Sequence, residues 1–312
     1  MGGKVEINTK NKLNIEPEQK KEVVLSPGRI VWNRLKRNKL AMTGLVIIVI
    51  LVVAAAVYPI VSPYDVYKID LTKTELPPSW AHPLGTDDVG RDVLTRLMYA
   101  GRISLLVGVV AVSIEVIIGS IVGVVSGYFG GIVDSIMMRI VDVIMCFPFL
   151  CILIMLSAVM SDLHVNPNYR IFIVMFIIGI IGWTGLSRIV RGQMLSLREQ
   201  EFMQAAEALG LSDRRKMFRH LLPNALASII VYATLGIGGA ILSESALSFL
   251  GLGVTPPIPS WGQMAQKCRD MYVLQFEPWL WVPPGLCIFL AVMSINLLGD
   301  GLRDAIDPKL KR

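Results

Sequence analysis

Leu40-Ala41-Met42-Thr43-Gly44-Leu45-Val46-Ile47-Ile48-Val49-Ile50-Leu51-Val52-Val53-Ala54-Ala55-Ala56-Val57-Tyr58-Pro59-Ile60-Val61 contains no charged side chain. About 20 apolar residues wound as a helix cross a bilayer core of about 30 Å, so residues 40–61 read as a membrane span. A basic amphipathic stretch carrying Arg34, Lys36, Arg37 and Lys39 abuts it. That flank and the Ala54–Ala56 cluster resemble a secretory leader. The run, however, exceeds a leader's apolar core and starts far from Met1, so an uncleaved signal anchor is expected.

Five further apolar blocks follow, at about Ser104–Ser126, Val133–Met160, Ile171–Ile189, Ala225–Leu250 and Trp279–Leu298. The expected fold is all-α: a polytopic membrane protein of six transmembrane helices. Composition agrees, with 54% hydrophobic and 17% charged residues and a mean hydropathy of +0.59, against roughly 25% charged in soluble domains. The third block contains Pro148, which predicts a tilt or kink. Pro283 and Pro284 sit near the start of the sixth, where a first helical turn tolerates proline.

Lysine and arginine near span ends set orientation. Residues 1–39, a polar tail closed by the basic stretch, hold about ten. The segment between spans four and five holds about seven: Arg188, Arg191, Arg198, Arg214, Arg215, Lys216 and Arg219. The tail at 300–312 adds Arg303, Lys309, Lys311 and Arg312. Six spans place all three on one side, which is therefore the cytoplasm of a plasma-membrane protein. The segment 62–103 falls outside; there acidic residues outnumber basic ones. The remaining five helices form a core over 104–299 with a cytoplasmic loop at about 190–224. The net charge of +6 is accounted for by this topology, so no nucleic-acid partner is expected.

Within that loop, Glu201-Phe202-Met203-Gln204-Ala205-Ala206-Glu207-Ala208-Leu209 is made of strong helix formers. Gly210 is suited to the left-handed position that ends a helix. Ser212 is placed to cap a second helix, and Pro223 starts or kinks the fifth span. A purely solvated helix explains the charges but not the apolar Phe202, Met203 and Leu209. Small residues at Ala205, Ala206 and Ala208 allow close backbone approach, as a helix seated in a partner's groove requires.

The spacing resembles the signature loop of bacterial ABC import permeases: Glu-Ala-Ala, three residues, Gly, nine residues, an apolar residue, one residue, Leu-Pro. Here it is Gln204-Ala205-Ala206, Gly210 and Leu222-Pro223. Gln204 replaces the glutamate, losing a charge but keeping size and a hydrogen-bonding end. His220 stands at the apolar position. His82-Pro83-Leu84-Gly85-Thr86-Asp87 with Gly90-Arg91-Asp92 resembles the oligopeptide/dipeptide permeases of the second type. So do Gly127-Tyr128-Phe129-Gly130-Gly131, Phe218–Asn224, Glu244–Gly253 and Asp300-Gly301-Leu302-Arg303-Asp304.

The resemblance implies the type I ABC importer permease fold and transport of peptides by alternating access. It implies a second, homologous permease, two ATPase subunits that bind ATP and Mg, and an extracellular solute-binding protein. Gln204, Ala205, Ala206, Glu207 and Gly210, with Leu222 and Pro223, would form the ATPase-coupling loop. A nickel or other small-solute importer would share this architecture.

Three charges inside spans are functional candidates, lining a solute path or packing helices: Glu115, Asp142 and Glu244. Arg139 lies three residues before Asp142, so the two can pair. Glu244 falls in a run with Gly236, Gly238, Gly239 and Ala240 that suits close helix packing. A proton-coupled transporter using these three acids is a reading of another class, but it leaves the loop spacing unexplained. Four cysteines and three histidines show no metal spacing. The phosphate loop of ATPases is absent, as are nucleophile–base sets. Neither catalysis nor a cofactor is expected in this chain.

Overall fold

The computed structural model describes residues 27–163 and 166–306. The expected tails fall outside the described residues at 1–26 and 307–312. Among the described residues the chain is helical, with a single isolated bridge between Thr86 and Asp92.

A short α1 (Pro27–Leu35) leads into α2 (Lys39–Val61), where the Asn38 side chain accepts from the Ala41 amide at 3.2 Å. Next, α3 (Val93–Phe129) runs to a turn at Gly130, whose φ of 64° suits a residue without Cβ. It is followed by α4 (Gly131–Met145), α5 (Phe149–Asp162) and α6 (Pro167–Arg198). The loop carries α7 (Glu201–Ala208), a turn α8 (Asp213–Arg215) and a π-helical turn at Lys216–Leu221. The long α9 (Leu222–Phe249) comes next, then the short α10 (Trp261–Ala265) and α11 (Met271–Phe276), and finally α12 (Pro278–Ile306).

Five continuous helices are long and apolar enough to cross a membrane, and α4 with α5 completes six if counted as one bent span. That pair bends by 76°. Pro148 has no amide to donate and disfavours helical backbone at Phe147. It becomes the first residue outside α5, whose Cys151 amide bonds its carbonyl at 3.0 Å. At 15 and 14 residues, neither half reaches across about 30 Å alone.

Hydropathy misplaces several helix ends. The second span starts at Val93 rather than Ser104, because Asp92 accepts from the Thr95 amide at 2.8 Å and caps the helix there. The fourth runs past Ile189 to Arg198. The last continues through the expected tail to Ile306. Polar end turns carry no hydropathy signal, yet their backbone stays helical until something caps it.

The bundle is organised around α3. Gly119, Gly123 and Gly127, one turn apart, meet the backbone or Cβ atoms of Trp183, Ser187 and Met194 of α6. A Cβ on Gly123 would lie 2.6 Å from both the Ser187 carbonyl and the Val190 Cβ. This small-residue stripe brings the two backbones together. Val107, Ala111, Val112, Leu153, Val174, Ile178 and Leu247 form the buried centre among α3, α5, α6 and α9.

Candidate functional site

The cytoplasmic end, on the topology expected above, is built on α7. Its termination by Gly210 is as expected: φ is +67°, the Gly210 amide bonds the Glu207 carbonyl at 2.9 Å, and the Leu211 amide bonds the Ala206 carbonyl at 3.2 Å. These are the two bonds of the Schellman stop. Ser212 occupies the N-cap position of the next turn, but its side chain makes no capping bond, contrary to expectation. Its carbonyl instead accepts from the Lys216 amide at 3.0 Å.

Two side chains of α7 point inward. Met203 and Ala206 are buried, and Met203 joins one buried cluster with Val190, Met194, Met217, Leu221 and Ala225. The residues expected to form the coupling loop therefore divide by face. Gln204, Ala205, Glu207 and Gly210 are exposed, while Ala206 belongs to the docked side. Leu209 is 79% exposed and Phe202 37%. That leaves a helix seated by two side chains and offering apolar and small side chains outward.

The second half of the loop is clamped by Tyr128, a residue of the Gly-Tyr-Phe-Gly-Gly turn whose role the sequence did not reveal. Its hydroxyl donates to Asp213 at 2.6 Å. Lys216 lies 3.0 Å from the same carboxylate and over the Tyr128 ring. Arg198 donates to the Tyr128 carbonyl at 3.0 Å. Pro223 sits in the first turn of α9 after the π turn, and the Asn224 amide group donates to the His220 carbonyl at 2.6 Å. Leu222 packs against the buried cluster beneath α7.

The intramembrane charges are distributed differently from expectation. Asp142 pairs with Arg188 of α6 at 2.6 Å, and Arg139 is exposed. The expected Arg139–Asp142 pair is not formed: an i,i+3 pair contributes only a few tenths of a kcal/mol, and α6 offers a guanidinium at close range. Asp134 accepts from Nε and Nη2 of Arg191, at 2.5 and 2.6 Å, and from the Ser126 hydroxyl. Arg188 and Arg191, one turn apart, were the available signal for these partners.

Glu244 is fully buried, accepting from Ser248 at 2.6 Å and Ser104 at 3.3 Å. Its hydrogen bonds tie α9 to α3. Glu115 is 7% exposed, its carboxylate against Gly182, with Gly236 on the far side. Glu115, Asp142 and Glu244 lie on three different helices, α3, α4 and α9, each with its own surroundings.

The motif at residues 82–92, expected outside the membrane, is a self-satisfied knot. Asp92 takes His82 at 2.9 Å besides capping α3, and Asp87 takes Arg91 at 2.8 Å and Arg96 at 3.5 Å. Among the described residues, no His, Cys, Asp or Glu grouping suits a metal ion.

Residues 119–312 match the family described as binding-protein-dependent transport system inner membrane component. Residues 26–78 match the N-terminal TM domain of oligopeptide transport permease C. The chain is similar to the dipeptide transport system permease protein DppC of Bacillus subtilis (strain 168), at 44% identity over 96% of this chain and 91% of that one. It is also similar to the DppC protein of Alkalihalophilus pseudofirmus, at 40% over 96% and 95%. The oligopeptide transport system permease protein OppC of Bacillus subtilis (strain 168) is 42% identical over 89% and 88%.

Proposed function

Because the chain belongs to the family of binding-protein-dependent transport system inner membrane components, we propose that it is one permease subunit of an ATP-driven importer of peptides. The relatives at 40–44% identity are named as dipeptide or oligopeptide permeases, which supports peptide cargo over nickel. On this reading a second permease completes the solute path. Two ATPases holding ATP and Mg supply the energy, and an extracellular binding protein delivers the peptide. The N- and C-termini are cytoplasmic.

One observation carries the coupling role. The helix α7 is fixed to the body by Met203 and Ala206 yet leaves Phe202, Leu209 and Ala205 uncovered. A helix seated this way passes a push from a docked ATPase to α6 and α9 instead of yielding to it. Gln204 keeps a hydrogen-bonding end on that outward face. Closure of the ATPases on ATP then favours one access state because the contact at α7 differs between states.

The test is uptake into proteoliposomes holding the complete complex. Labelled peptide should accumulate with ATP and be indifferent to collapse of the pH gradient. Uptake that survives ATP depletion and follows the pH gradient overturns the reading.

A further inference from the structure

The clamp at Tyr128 joins the loop to α3, the longest helix among the described residues. Three groups close a triangle there. The Tyr128 hydroxyl donates to Asp213 at 2.6 Å. The Lys216 ammonium lies 3.0 Å from the same carboxylate and 5.5 Å from the centre of the Tyr128 ring. Tyr128 is in the last turn of α3, whereas Asp213 and Lys216 belong to the second half of the loop. The Tyr128 carbonyl is held as well, by Arg198 at the end of α6. Met217, the residue after Lys216, shares the buried cluster of Met203, and Tyr128 packs against that cluster.

The kind of contact decides what this joint transmits. Apolar side chains such as Met203 and Met217 can slide past one another at small cost, because burial has no preferred direction. A hydrogen bond weakens steeply when it is bent. The loop therefore either breaks the triangle when it shifts or carries the end of α3 with it. The helix is built to pass such a displacement on. Its 37 residues contain no proline and extend about 55 Å. Gly119, Gly123 and Gly127 seat it closely against α6. At its opposite end Asp92 caps the helix and binds His82 at 2.9 Å. There too Arg96 donates to the Val66 carbonyl at 3.0 Å and lies 3.5 Å from Asp87. The knot at residues 82–92 is thus fastened to the same rod as the loop.

We propose that Tyr128 is a positioning residue for coupling: through Asp213 and Lys216 it fastens the loop to α3, so that a push on α7 moves α3 and α6 as one body and reaches the knot at the far end. This rests on the ATP-driven import reading. It adds a route into the bundle through α3, beside the one through α6 and α9. The hydroxyl is the decisive group. A phenylalanine ring would keep the apolar packing and the place beside Lys216, but it would leave Asp213 without its partner on α3.

The test uses the complete complex in proteoliposomes, with uptake of a labelled dipeptide and ATP hydrolysis measured in the same sample. Tyr128→Phe should lower the peptide taken up per ATP by about tenfold, the contribution of a hydrogen bond to a charged group. Hydrolysis in the absence of peptide and co-purification of the ATPases should stay unchanged. Asp213→Ala, at an exposed position, should give a similar loss and keeps the test valid if the first variant folds poorly. The double variant should be no worse than the more affected single one, because both remove the same contact. An unchanged uptake ratio in both single variants overturns the joint alone, as do losses that multiply in the double variant. A lower melting temperature with the uptake ratio intact, the mark of a merely structural role, overturns it too. A wild-type complex that takes up no peptide with ATP overturns the import reading and the joint with it.

Discussion

Pro59 shows how one residue sets a long-range contact. It sits inside α2 and cannot donate to the Ala55 carbonyl. Arg102 of α3 donates to that carbonyl at 2.7 Å and to the Ala56 carbonyl at 2.6 Å. Arg102→Met should therefore lower stability by about 1 kcal/mol, the net contribution of a hydrogen bond that is not fully buried, read as a fall in melting temperature in detergent. Pro59→Ala in the same background should restore much of the loss, because the helix then satisfies Ala55 itself. Glu277, between α11 and α12, has a buried carboxylate oxygen without a partner. Burial first, then Glu75 and Asp270, push its pKa above the ordinary value of 4.5, with Lys267 opposing. The folded protein thus binds this proton more tightly than the unfolded chain. Its contribution to stability is full below about pH 4.5 and declines as pH rises through the elevated pKa. Glu277→Gln should raise the melting temperature at neutral pH and leave it nearly unchanged at pH 4; an equal gain at both values would refute that assignment.

At the scale of elements, α7 and the α3–α6 seam make opposite demands on small residues. On the outward face of α7, Leu209→Ala should weaken binding of the ATPases by about tenfold, or roughly 1.4 kcal/mol, with the permease's own melting temperature unchanged. Ala206→Arg acts differently. Ala206 is turned inward, so a buried guanidinium would dislodge α7 and lower stability as well as coupling. Comparing the two by co-purification and melting separates contact with the motor from support of the helix. In the seam, Gly123→Leu forces its Cβ against the Ser187 carbonyl and the Val190 side chain. Overpacking of this kind costs about 1–3 kcal/mol or more. Folded yield should drop, whereas Gly239→Leu, where a Cβ meets open space, should be tolerated.

The whole molecule is a bundle whose ends have different jobs. On the proposed orientation the outer end is closed by the His82–Asp92 and Asp87–Arg91–Arg96 contacts, and the inner end presents α7. This division requires residues 199–215 on the inside and 62–92 on the outside. Single cysteines at Leu209 and Trp80, both strongly exposed, in a background lacking the four native cysteines, should react oppositely with an impermeant thiol reagent in intact cells. Trp80→Cys should label and Leu209→Cys should not. Labelling of Leu209→Cys from outside would remove α7 from reach of any internal motor.

The number of apolar blocks, the helix stop at Gly210 and the signature spacing were legible in the sequence because each depends on local chemistry. Lipid selects apolar runs about 20 residues long, and a left-handed turn selects glycine, whatever lies elsewhere in the chain. What hydropathy missed depends on how helices are rotated against one another. Arg188, 46 residues from Asp142, displaces the nearer Arg139 only because α6 lies beside α4. Ala206 faces inward and Ala205 outward because of what α7 rests on. The glycines at 119, 123 and 127 form a stripe only because α3 packs them against Trp183, Ser187 and Met194 of α6. Pro148 announced a bend, but its angle of 76° belongs to the tertiary structure, because α6 packs against both halves.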